Sequence, residues 1–430
     1  MSSRAPVILT KFRNLGEQMK KIVKMSLVAA VAVAGLTTAN AKPLEEAIKN
    51  VDVSGTVVYR YDDRSFDDNN GDVSSNNYKI GLSLKAKVND DVTANTRFIV
   101  GADNSYNFAS LNNTEDSDGS ANVSLSQVYF GYTGIANTTV NVGKQGLTTP
   151  WTVAIDSDGN EQSGTGILAL TTVGPVTLAA AYFNQTNLEL STDASANGSV
   201  ALGGANYKLI DSTRAAGTTN TLDGAANVMT VGAMANIGPV ALDAWYLDMQ
   251  DSFDTFTVGA SANFDLDAVK LSVGARHTAL DFDKELAGDA LAKEDNSLTK
   301  IMLGLKAGIF GANVNYGWTD KEGGLAALDN DATTGMQGWT VQLNGVADAT
   351  YLQASINAQV LETLNIALMY HVLDKDKVKN AAGGTIREDG KDTELYLQAT
   401  YNMSKNLSTY VRFGEQEIEK GRANQKDKDG

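Results

Sequence analysis

The chain has 430 residues, with 51 acidic against 35 basic side chains, a formal net charge of −16 at pH 7, no Cys and only His277 and His371 as histidines. That balance argues against a nucleic-acid partner, and the missing Cys removes disulfides, thiolate metal sites and Cys nucleophiles. Scarce Pro (5), abundant Gly (40) and a hydrophobic fraction of 43% fit neither a disordered chain nor a helical membrane protein.

In chain order, the first feature is an export signal. Lys20, Lys21 and Lys24 precede an apolar run from Leu27 to Leu36, and Thr38-Ala39-Asn40-Ala41 supplies the small-x-small pattern of a cleavage site. The run is well short of the about 20 residues that cross a bilayer as a helix. Met19 is a more natural start than Met1, because the basic segment begins directly after it. Residues 1–41 are therefore read as an N-terminal extension and signal peptide, and residues 42–430 as one domain.

From Val51 onward the period is two. Tyr78, Ile80, Leu82, Leu84, Ala86 and Val88 alternate with Lys79, Gly81, Ser83, Lys85 and Lys87. The same rhythm runs through Val51, Val53, Val57 and Tyr59, and through Thr393, Leu395, Leu397, Ala399 and Tyr401. One face of each strand is apolar and the other polar, over the length that a tilted strand needs to cross a bilayer. Tight connections fall at 89–91, 135–137, 174–175, 238–239, 265–268, 310–311, 362–363 and 404–406. They alternate with long polar ones at 62–77, 104–122, 146–165, 186–226, 281–296, 320–349 and 375–391. This asymmetry predicts an all-β fold, a transmembrane antiparallel up-and-down β-barrel in an outer membrane. The pattern yields about seventeen strands, the last from Leu407 to Ile418. Bacterial barrels close on an even number, so the expectation is an 18-stranded barrel whose last strand is missing here, a C-terminal truncation. Some of Tyr59, Tyr61, Tyr129, Tyr132, Tyr182, Trp245, Tyr246, Tyr370 and Tyr401 are expected in interfacial girdles.

The stretch from Ser26 to Asp63, and PLEEAIKNVDVSG within it, resembles the start of the major outer membrane porins of Campylobacter and related epsilonproteobacteria. Gly143-Lys144-Gln145, Trp151-Thr152 and Gly164-Thr165-Gly166 follow in the order of that family's constriction-loop region. The resemblance implies an 18-stranded barrel, a homotrimer and a general diffusion channel that prefers cations.

A water-filled lumen with low-dielectric walls focuses the field of a few fixed charges, so no catalyst is required and none is expected. The third long loop, 146–165, offers Asp156, Asp158 and Glu161 as acidic constriction residues. Strand parity turns Arg60, Lys85, Arg97, Arg276 and Arg412 toward the lumen as basic wall residues, with Lys300 and Lys306. Lys144 shares phase with Val140 and Val142 and is expected to face lipid or a neighbouring subunit. His371 falls in lumen phase and His277 near a strand end, and neither has the neighbours of a catalytic or ligand set.

Asp-rich stretches at 62–72 and 112–119 suggest at most weak calcium binding, and no other cofactor. Expected partners are outer-membrane lipid and lipopolysaccharide, small hydrophilic solutes and cations. The competing expectation is an adhesin or structural envelope protein that works through the loops at 186–226 and 320–349.

Overall fold

The computed structural model describes residues 51–66, 72–102, 106–110, 122–157, 159–190, 195–196, 207–208, 223–283, 295–379, 383–419 and 428–429. The expected signal segment, Asp158 and most of the loop at 186–226 lie outside them.

Seventeen long strands run through the described residues. They are β1 (Val51–Arg64), β2 (Val73–Lys87), β3 (Val92–Gly101), β4 (Asn122–Ile135), β5 (Thr138–Gly146), β6 (Ser163–Val173), β7 (Val176–Thr186), β8 (Val228–Ile237) and β9 (Val240–Met249). The remainder are β10 (Phe253–Leu266), β11 (Val269–Phe282), β12 (Asn296–Ala307), β13 (Phe310–Thr319), β14 (Ala349–Leu361), β15 (Leu364–Lys375), β16 (Gly390–Ser404) and β17 (Leu407–Glu419). Each pairs antiparallel with the next, so the whole wall is one up-and-down β-barrel sheet. β1 and β17 are its flanks, and among the described residues no ladder joins them. Lys428 and Asp429 pair with Glu419 and Ile418 of β17, on the flank where a further strand would add.

Alternation along the strands separates an apolar exterior from a polar interior. Val57, Phe130, Val314, Ile356, Val411 and Phe413 point outward and are exposed, as the lipid-facing side of a membrane barrel requires. Among the described residues no helix is long and apolar enough to cross a membrane, and the strands do the crossing. Tyr59, Tyr61, Tyr182, Tyr246, Tyr370 and Tyr401 stand on the outer face. Trp245 does not join them, because it shares phase with Leu247 and Met249 and packs inward.

The short turns sit at one end of the wall. Asn137, Gly174, Gly238, Asp267 and Gly308 occupy the left-handed region there, with φ between 56° and 59°. That is what a two-residue hairpin demands, since only such turns match the twist of the flanking strands. The connection expected at 310–311 is in fact Gly308-Ile309, because Gly308 takes the left-handed conformation and Phe310 already belongs to β13. Parity also shifts within β4. In β4 the register slips opposite Arg97 and Phe98, so that Leu125 and then Val128 face outward with Ser126 as the extra residue, a bulge that resets phase.

At the loop end of β7 to β11 the inner face turns apolar. Phe183, Leu247, Met249, Phe253, Leu280 and Phe282 form a buried cluster with Leu147 and Trp151 of one loop and Leu325 and Leu328 of another. Those two loops fold into the barrel and position the site.

Candidate functional site

The first inward loop, residues 147–162 between β5 and β6, is fixed to the wall by charge. Arg97 of β3 grips Glu161 in two parallel bonds, Nε to Oε2 at 2.8 Å and Nη2 to Oε1 at 2.6 Å, and its Nη1 donates to Ser83. Gly81 of β2 makes room, since a Cβ there would lie 2.3 Å from Arg97 Nη2. Lys79 donates to the carbonyls of Asp156 and Gly159 at 2.6 and 2.7 Å, and its ammonium lies 3.6 Å from Glu161. Lys79, Arg97 and Glu161 are all buried. Glu161 is therefore no free carboxylate in the passage: its charge is answered by two cations, and it anchors the loop. The same geometry removes Arg97 from the open wall.

The second inward loop, residues 320–348 between β13 and β14, belongs to the stretch that the competing adhesin reading made a working surface, and it packs against the inner face of the wall. Its apolar residues Ala326, Met336, Val341, Leu343 and Val346 pack on Leu298, Tyr351 and Leu373 of the wall. Glu394 of β16 accepts from the backbone N–H groups of Trp339, Thr340 and Val341, from the Thr340 hydroxyl, and meets His371 Nδ1 at 2.6 Å. Converging N–H groups on one buried carboxylate make a strong, charge-assisted clamp.

The two loops meet inside the barrel. Leu328 N–H donates to the Trp151 carbonyl at 2.9 Å, Thr334 N–H to the Pro150 carbonyl at 3.0 Å, and Gln162 Nε2 to the Leu328 carbonyl at 2.7 Å. At this junction carboxylate oxygens of Asp156, Asp329 and Asp331 lie within 4.8 Å of one another. Asp156 and Asp329 are buried and Asp331 is exposed. Hard oxygen donors so grouped suit a divalent cation such as calcium, and equally concentrate negative potential where the lumen is narrowed. Of the Asp-rich stretches first suspected of binding calcium, residues 67–71 and 112–119 lie outside the described residues.

The other basic wall residues divide. Arg276 of β11 bonds to Asp243 at 2.6 Å. Arg412 of β17 bonds to Gln398 and lies 5.2 Å from the Trp339 ring centroid, facing the second loop. Arg60 pairs with Asp62 at 2.9 Å and lies over Phe108. Lys85 is exposed toward the turn end of β2. Lys144 is on the outer face, where Tyr106 covers it: its ammonium donates to the Tyr106 hydroxyl at 2.6 Å and to the Leu125 carbonyl. His277 meets Thr299 at 2.7 Å, and its ring lies tilted against that of Phe256 with centroids 6.0 Å apart.

Asp329, Asp331 and Glu394 were not among the site residues that strand parity and the third loop singled out. A signal existed in Phe183, Leu247, Met249, Phe253, Leu280 and Phe282, apolar residues in lumen phase at the loop ends of their strands. Such residues need cover, and the inward loops supply it.

No curated protein matches the chain by sequence. Among solved structures its fold is similar to OccK2 (OpdF) of Pseudomonas aeruginosa, 13% identical with a TM-score of 0.65, covering 89% of this chain and 95% of that one. It is also similar to a BenF-like porin from Pseudomonas fluorescens Pf-5, 13% identical with a TM-score of 0.61 and coverage of 88% and 95%. OccAB1 of Acinetobacter baumannii, 15% identical, gives a TM-score of 0.60 over 85% and 91%. The sequence pattern described as Campylobacter major outer membrane protein matches residues 19–430. A barrel wall carrying that pattern over nearly its whole length makes this chain a member of the Campylobacter major outer membrane protein family, with the fold of an outer-membrane β-barrel.

Proposed function

We propose that the channel passes small hydrophilic solutes and ions by passive diffusion and prefers cations, through the carboxylates of Asp156, Asp329 and Asp331 rather than through Glu161. The observation that carries this reading is the grouping of those three side chains within 4.8 Å where the two inward loops meet. Fixed charge in a narrow passage with low-dielectric walls raises the local concentration of counter-ions. The same donors bind calcium weakly on this reading. The protein works after Sec-type export as a homotrimer, with an eighteenth strand between β17 and β1.

Planar-bilayer recording of the folded full-length protein tests the proposal. Large, nearly ohmic steps are expected, with a reversal potential in a KCl gradient on the cation-preferring side. The double variant Asp156→Asn, Asp329→Asn is expected to lower the cation to anion permeability ratio about threefold, the effect of roughly half a kT of local potential acting oppositely on the two ions. An unchanged reversal potential removes these carboxylates as the filter, and a folded protein that never conducts removes the diffusion channel.

A further inference from the structure

A cavity of about 430 Å³ lies in the lumen between the wall around β11 to β13 and the second inward loop. One register row forms its floor. Asp243 of β9 stands opposite Gly259 of β10, Gly259 opposite Arg276 of β11, and Arg276 opposite Lys300 of β12. Arg276 lies across the space that Gly259 leaves, where a Cβ would come within 2.3 Å of its Nη2. It thereby reaches Asp243 at 2.6 Å, and its other nitrogen donates to Thr257 at 3.1 Å.

Asp243 thus answers Arg276, and the row keeps one positive charge in excess. Lys300 carries it. The residue is 9% exposed, and among the described residues its ammonium donates to the Gly335 carbonyl and to no carboxylate. An ammonium has three donors, and a neutral carbonyl satisfies one of them without cancelling the charge. Asn315 and Gln353 line the same cavity as neutral polar groups, and Met302 and Met336 give it an apolar side. Asp331 lines it too, from the loop.

We infer that this cavity is a binding site for a small organic solute carrying one carboxylate, which the Lys300 ammonium and the edge of the Arg276 guanidinium receive. Asp331 opposes a second carboxylate, and the methionines accommodate an apolar portion. The inference rests on the reading of the lumen as a solute path, and goes beyond it by assigning a solute class that a bare cation filter would not hold.

Titration calorimetry of the detergent-solubilised full-length protein with sodium lactate, and with lactamide as its uncharged analogue, tests it. The same preparation is first recorded in a bilayer, so a channel that never conducts counts against the diffusion reading rather than against this site. Saturable heat is expected with lactate and none with lactamide. Lys300→Gln is expected to weaken lactate binding about tenfold, as loss of a charge-assisted bond does, while Lys300→Arg retains it. If Lys300→Gln does not fold, Asn315→Leu, which fills the cavity and spares both cations, is expected to weaken it instead. A conducting wild-type channel with equal or absent heats for the two compounds overturns the inference. So does undiminished lactate binding by a folded Lys300→Gln or Asn315→Leu protein.

Discussion

Arg97 and Glu161 show how a residue can be located from sequence and still be misread. Alternation along β3 places Arg97 on the inner face, and the position of Glu161 places it in the third long loop. Neither reveals that the two form a bidentate pair with both side chains buried. A buried ion pair contributes little beyond an apolar equivalent, but removing one partner strands the other charge and costs about 3–5 kcal/mol. Arg97→Met is therefore expected to lower the temperature at which the folded barrel loses its compact mobility on a detergent gel. The double variant Arg97→Met, Glu161→Leu is expected to regain only part of the loss, because the buried Lys79 ammonium then keeps its two carbonyl acceptors and no carboxylate. If the single and double variants melt alike, the pair is not what anchors the loop. Glu394 has the same character. Its place on the inner face of β16 follows from period two, whereas the three N–H groups it receives come from a loop more than fifty residues away in sequence.

At the scale of elements, strands and turns were largely legible, because both depend on neighbours in the chain. The hairpin turns were misplaced only where the left-handed residue was overlooked, at Gly308. A Cβ there meets no atom within 4 Å, so the demand is purely one of φ. Gly308→Val is expected to destabilise the barrel by about 1–3 kcal/mol, the cost of holding a side-chain-bearing residue in that region. Gly308→Asn is expected to cost much less, since Asn adopts the left-handed region readily. Thermal unfolding of both variants in detergent checks this, and equal melting would contradict it. The bulge at Ser126 was hidden for a different reason: the sequence on either side alternates correctly, and only the partner strand's register shows that one residue is extra.

For the whole molecule the governing fact is that lipid surrounds the wall and water fills it. In hydrocarbon every backbone group must be paired within the wall, so long strands with an apolar outer face have few alternatives to a barrel. Val314, near the middle of β13, faces outward and Asn313 inward. Val314→Arg is expected to cost about 2–4 kcal/mol of folding stability in lipid, while the same charge at Asn313 is tolerated in the aqueous interior. Refolding into vesicles under urea titration measures both, and equal losses would mean that the assignment of faces is wrong. The amino-acid sequence by itself determined the wall, its strand number among the described residues, the end that carries the loops, and the side on which most strand residues lie. These follow from covalent alternation and from the solvent on each face. Only the tertiary structure decided that both the third loop and the loop at 320–348 turn inward, that Glu161 is neutralised, and that Asp329 and Asp331 join Asp156. Those outcomes depend on contacts such as Gln162 to Leu328, 166 residues apart. No local pattern encodes such contacts, because each loop's apolar cover and charge partners lie on strands and loops far from it in the chain.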